Sequence, residues 1–169
     1  MKNHFFLSLF LCICLLFSAC GVPSASNSAE TAEAPVAKTL ASIPDFSDSP
    51  YVILGDNVPT FTNEEITDKA FESYSPLDAL GRCGTAFACL GKELMPTEER
   101  GSIGQVKPSG WQTVKYDIVD GKYLYNRCHL IGFQLTGENA NERNLITGTR
   151  YMNTEGMLPF ENMLADFIK

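Results

Sequence analysis

Apolar residues fall in two different patterns along this chain, and each predicts its own kind of element. Near the start, Phe5 to Ala19 is an apolar run without charge, preceded by Lys2. It is shorter than the ~20 residues a membrane span needs, and a basic residue before a short apolar run is the layout of an export signal. Near the end, Phe160, Met163, Leu164, Phe167 and Ile168 repeat at helical spacing behind Pro159. That spacing predicts an amphipathic helix with one buried stripe, and proline suits its first turn.

Between these, the apolar runs are short and bounded by turn residues. Tyr51 to Leu54 reads as a β run ended by Gly55-Asp56-Asn57. Phe61 to Glu65 reads as a short helix start, with Thr62 or Asn63 as its cap. Arg82 to Leu90 and Trp111 to Tyr116 read as strands, and Trp111 as core. Asp120-Gly121 predicts a hairpin between Val114–Val119 and Lys122–Tyr125. Leu130 to Thr149 is rich in Gly, Asn, Thr and Glu and reads as a long ordered surface loop. Strands, hairpin, loop and final helix together predict an α+β domain.

The apolar start ends in Leu16-Phe17-Ser18-Ala19-Cys20-Gly21, which resembles a bacterial lipobox. The reading is a signal peptide over 1–19, lipidation at Cys20, and a Ser/Ala/Pro/Glu-rich flexible tether over 20–43. The folded domain is then 44–169. These features place the protein outside the cytoplasm, anchored to the cell membrane by lipid, or secreted if Cys20 stays unmodified.

Beyond Cys20 only Cys83, Cys89 and Cys128 remain. An odd number excludes a closed disulfide framework. A lone histidine without a CxxC excludes a common zinc site. The cysteines read as buried apolar residues, with a bridge to Cys128 open.

The formal net charge is −7, unevenly spread. Gly21–Arg100 carries 13 acids and 5 bases, whereas Gly101–Lys169 carries 7 of each. Bulk charge would not hold a polyanion, so any nucleic-acid contact must be local.

His129 is the one histidine after the signal, within Tyr125-Asn126-Arg127-Cys128-His129-Leu130. Asn144 and Asn153 follow at a spacing of nine, and Glu161 lies eight beyond Asn153. Asn126-Arg127-Cys128-His129 resembles the Asp-Arg-Gly-His signature of the DNA/RNA non-specific endonucleases, the ββα-metal (His-Me finger) group that includes streptococcal surface DNases. The two asparagines and the glutamate reproduce the family's further positions. The likeness covers most of residues 110–169.

The resemblance implies a ββα-metal core of antiparallel sheet, long loop and helix. It implies hydrolysis of phosphodiester bonds in DNA and RNA without sequence preference, dependent on Mg²⁺ or alternatively Mn²⁺. Such a reaction needs a base for water and a cation for the charge on phosphate. In these terms His129 is the general base and Asn153 the metal ligand. Glu161 holds a metal-bound water, Arg127 stabilises phosphate charge, and Asn144 and Asn126 support.

Two departures stand out: Asn126 replaces Asp, so no carboxylate orients His129 from there, and Cys128 replaces Gly. Ala165 stands where some members have arginine. Family domains continue with further strands beyond the final helix, so the resemblance leads one to expect a C-terminally incomplete domain. The alternative readings are a catalytically impaired nucleic-acid-binding lipoprotein and a lipoprotein with protein partners only.

Overall fold

The computed structural model describes residues 43–169. The signal peptide, Cys20 and all but the last residue of the tether lie outside the described residues. Among those described, no helix is long and apolar enough to cross a membrane.

The first sheet is a two-stranded antiparallel pair, β1 (Phe71–Tyr74) and β2 (Ala86–Cys89), with Phe71 opposite Cys89. Sequence reading did not find β1, and the strand expected over 82–90 is confined to its apolar second half. The reason lies at Arg82. Asp78 organises a turn there, its Oδ1 accepting from the Leu80 and Arg82 N–H groups at 2.9 Å and its Oδ2 from Arg82 Nε at 2.6 Å. These donors hold the Asp78 carboxyl below the usual carboxylate range.

The second sheet carries the motif. β3 (Tyr125–His129) pairs antiparallel with β4 (Leu145–Thr149), His129 opposite Leu145 and Arg127 opposite Thr147. The long loop expected over 130–149 is thus half structure. It holds a one-turn helix α1 (Phe133–Thr136) and then β4. Leu145-Ile146-Thr147 has strand-forming residues, but the Asn- and Gly-rich surroundings hide them.

The chain then enters a π-helical turn, Met152–Met157, which runs into α2 (Leu158–Ile168) with proline in its first turn as expected. β3, β4 and this helix form a ββα unit.

Other expectations give way. Tyr51–Leu54 forms no strand, and Thr62–Glu65 forms a turn closed by Glu65 Oε2 accepting from the Thr62 N–H at 2.8 Å. The hairpin across Asp120-Gly121 reduces to a single bridge, Lys115 with Tyr123. Its wide tip puts Gly121 and Lys122 at positive φ. The strand expected over 111–116 reduces to that same bridge, and Trp111 is half-buried.

The stripe on α2 is also not buried as expected. Ala165 is its one buried residue, and Phe167 is 88% exposed. Tyr51 packs edge-on against Phe160 at 5.1 Å, and among the described residues no aromatic ring packs on Phe167 in the same way.

The core is small: Cys128, Leu135, Leu145 and Ala165, with the polar residues His129, Thr136 and Asn144 buried beside them. Cys83, Cys89 and Cys128 are all free thiols. Burial pushes the Cys128 thiol up to about 11, so it stays protonated.

Its bulk is matched across the sheet. A Cβ on Gly148 would meet Cys128 Sγ at 2.6 Å and also the Met152 methyl. Gly148 thus vacates the space that Cys128 fills, which is how the hairpin accepts cysteine at 128. Gly148→Ala is expected to destabilise the fold by about 1–3 kcal/mol through overpacking. Thermal denaturation would check this, and Cys128→Gly added to Gly148→Ala should recover part of the loss.

Candidate active site

Strand alternation puts Tyr125, Arg127 and His129 on one face of β3, and Asn126 and Cys128 on the other. Asn126 therefore faces away from His129. In the strand register it stands opposite Gly148.

His129 is 5% exposed at the end of β3. Its Nε2 lies 2.8 Å from the Asn139 carbonyl oxygen. A carbonyl only accepts, so Nε2 carries the proton and donates. The neutral ring then keeps its lone pair on Nδ1, and the guanidinium of Arg100 (Nη2) lies 3.4 Å from it. Burial first, and then the charge of Arg100, hold the His129 pKa below its ordinary 6.5. The outcome is a neutral imidazole of fixed tautomer, oriented by a backbone carbonyl rather than by a carboxylate.

Asn144 is fully buried. Its side chain brackets one peptide: Oδ1 accepts from the Ile131 N–H at 2.8 Å, and Nδ2 donates to the Ile131 carbonyl at 2.9 Å. Its own carbonyl accepts from the Leu130 N–H at 2.8 Å. One residue thus ties both peptides following His129 to the start of β4.

Glu161, in the first turn of α2, is half-buried against Gly132. A Cβ at Gly132 would meet the Glu161 carboxyl carbon at 2.8 Å, so glycine lets helix and loop approach. Desolvation raises the Glu161 pKa, and the Arg100 charge partly opposes this. Arg100 therefore acts on both His129 and Glu161. Its guanidinium also lies 5.9 Å from the Phe133 ring centroid.

Arg127 is held elsewhere. Its guanidinium stacks 3.8 Å over the Trp111 ring. Nη2 donates to the Gly104 carbonyl at 2.9 Å and Nε to the Val106 carbonyl. The motif arginine is braced by the 104–111 segment, and Trp111 serves as its platform. Arg150 pairs with Asp120 at 2.8 Å.

Asn153 sits in the π-helical turn ahead of Glu161, where its half-buried side chain enters no hydrogen bond among the described residues. Such turns recur at functional sites. Glu161 lies further along the same helical run, in the first turn of α2. The described residues hold no cluster of three or more His, Cys, Asp or Glu. One free amide oxygen with a supporting carboxylate does fit a hard cation that keeps most of its waters.

Arg100 and Asn139 were not legible as site residues. Arg100 sits in Glu98-Glu99-Arg100-Gly101, an ordinary polar loop, and meets His129 across 29 positions. Asn139 contributes its backbone, which no side-chain motif records.

The region just described coincides with a family match. The family described as DNA/RNA non-specific endonuclease matches residues 62–169. The chain belongs to that family. No curated protein matches it.

Among solved structures, the chain is similar to NucA from Streptococcus agalactiae with magnesium bound. Identity is 22% and the TM-score 0.57, over 67% of this chain and 57% of that one. The same nuclease without metal gives 22% identity and a TM-score of 0.55, over 67% and 56%. The chain thus spans less than two thirds of either neighbour. At this identity the likeness is one of fold: mixed helix and antiparallel sheet of the ββα-metal class, as the motif implied.

Proposed function

We propose that this member of the family is a Mg²⁺-dependent, sugar-non-specific endonuclease acting on DNA and RNA, with His129 as general base. The observation that carries the reading is the His129 tautomer. The Asn139 carbonyl holds the proton on Nε2, and burial keeps the ring neutral, so Nδ1 has a lone pair for the attacking water.

In this reading Nδ1 takes the water's proton as its oxygen attacks phosphorus; one ester P–O bond breaks, and the departing sugar oxygen takes a proton from solvent water. Arg100, now against that lone pair, turns its guanidinium to the phosphate oxygens and clears Nδ1 for the water. Arg127 offers the remaining face of its braced guanidinium to a neighbouring phosphate. Asn153 would hold Mg²⁺ through its amide oxygen, and Glu161 would accept a hydrogen bond from a water on it. The ion, when bound, would neutralise charge building on the phosphate oxygens.

Contacts to phosphate rather than base edges explain tolerance of either sugar. The lipobox-like Leu16–Cys20 supports an enzyme displayed on the outer face of the cell membrane through a lipid on Cys20.

Digestion of plasmid DNA and of RNA tests the reading. Both are expected to be cut with Mg²⁺ and spared with EDTA. Cleavage that persists in EDTA would overturn the metal requirement. Binding of nucleic acid without Mg²⁺-stimulated cleavage would make the protein a binding module.

A further inference from the structure

The charge of Arg127 is held in place without being neutralised. Its Nε donates to the Val106 carbonyl and its Nη2 to the Gly104 carbonyl at 2.9 Å. Among the described residues Nη1 enters no hydrogen bond, and no carboxylate pairs with the guanidinium. Arg82 and Arg150, by contrast, each meet an aspartate.

Trp111 completes the hold, its ring centroid 3.8 Å from the guanidinium carbon. An aromatic face attracts a cation through its quadrupole, and it leaves both the charge and the hydrogen-bonding edge of the guanidinium available. A carboxylate in the same place would cancel that charge.

Local structure fixes the ring in turn. The Trp111 N–H donates to the Pro108 carbonyl at 3.0 Å and closes a tight turn with Gly110 at φ 74°. A left-handed third position in a turn suits glycine. Ser109 ties the turn to the Leu80 carbonyl at 3.0 Å. Segment 104–111 thus offers a single guanidinium two carbonyls and an indole. That guanidinium belongs to the face of β3 that also carries His129.

We infer that Trp111 is a positioning residue of the site: it fixes the plane of the Arg127 guanidinium, so that its unpaired edge meets a phosphate of the substrate beside the one attacked at His129. The inference rests on the nuclease reading for its substrate. A long side chain left free to change rotamer would lose that freedom at each binding event, and the ring removes this cost in advance. The phosphate so held does not react. Trp111 therefore strengthens binding of substrate and transition state alike, and its loss shows in KM rather than kcat.

Two measurements on the full chain test this. In the first, steady-state cleavage of duplex DNA is followed with Mg²⁺. Trp111→Leu is expected to raise KM about 3- to 30-fold, the range of one cation–π contact, with kcat held within about twofold. Trp111→Phe keeps an aromatic face and is expected to recover most of the loss. An unchanged KM in Trp111→Leu, an equal rise in both variants, or a loss confined to kcat overturns the inference.

The second uses the unaltered chain, so it stands even if Trp111→Leu fails to fold. Trp111 is the single tryptophan, and its emission reports this platform alone. A short phosphorothioate duplex, which keeps the charge on every phosphate and is cut slowly, is added with Mg²⁺. Its binding, followed by the anisotropy of a dye on the DNA, is expected to change the Trp111 emission with the same midpoint. In Arg127→Ala the emission is expected not to respond at saturating DNA, and a response retained there overturns the inference.

DNA binding without an emission change overturns the positioning role and leaves the nuclease reading intact. A matching emission change without cleavage of ordinary DNA upholds the positioning role and overturns the hydrolytic reading. Absence of both binding and cleavage removes both.

Discussion

Replacing His129 by alanine is expected to lower Mg²⁺-dependent cleavage of DNA by about 10²–10⁴-fold, the usual share of a positioned general base. The imidazole is buried and anchored at 2.8 Å, so its loss also leaves a small hole and an unpaired Asn139 carbonyl. A purely structural loss would appear in the melting temperature, and added imidazole would not reverse it. A chemical loss is partly rescued by free imidazole without a matching recovery of the melting temperature. An alanine variant that retains full activity sinks His129 as the base.

The pH profile sharpens the same expectation. His129 must be neutral and Glu161 ionised, and both conditions fail on acidification. Burial holds the His129 pKa below 6.5 and raises that of Glu161 above 4.5, so the two losses are drawn towards each other. kcat/KM is expected to be flat near neutrality and to fall on acidification at some point below 6.5, because His129 gains a proton there and Glu161 gains one somewhere above 4.5.

On stability the two groups oppose each other. A histidine with lowered folded pKa loses stability as pH falls from 6.5 through that pKa. A carboxyl with raised folded pKa gains stability over its own window. Activity should therefore collapse on acidification with little matching change in melting temperature. Parallel collapse of both would make the limb an unfolding event.

Within the ββα unit, the motif and the final helix were readable because their signals are local. Tyr125 to His129 is one motif, and Phe160 to Ile168 carries its period within three turns. β4 was hidden because Leu145-Ile146-Thr147 is three residues long and sits among Asn and Gly, which favour turns. The stripe on α2 was read correctly as a helix face but wrongly as buried. Periodicity records which side chains share a face and says nothing about what lies opposite.

The site divides the same way. His129, Asn153 and Glu161 are candidates through the family resemblance that the motif region carries. Arg100 depends on a contact across 29 residues and Asn139 on a carbonyl, and a lone sequence carries neither signal. Cys128 looked like a departure from the family pattern. The compensation was Gly148, visible only once β3 and β4 are paired.

Asn144 brackets the loop that follows His129, and its replacement is expected to have the largest effect on stability. Asn144→Ala removes the acceptor for the Ile131 N–H and the donor for the Ile131 carbonyl together. The site is fully buried, so neither group regains water. Each orphaned group costs about 1–3 kcal/mol, which makes the total a large share of the stability of a domain with so small a core. Asn144→Asp restores the acceptor but loses the donor and buries a charge, so it should not rescue. Asn144→Gln keeps both groups one methylene too far out and is expected to lie between wild type and alanine. Chemical denaturation of the three variants checks the order. Leu130 and Ile131 follow His129 directly, so cleavage should fall with the same ranking even below the melting point. If Asn144→Ala melts like the wild type, the bracket at Ile131 does not anchor the loop, and the register of His129 must be set elsewhere.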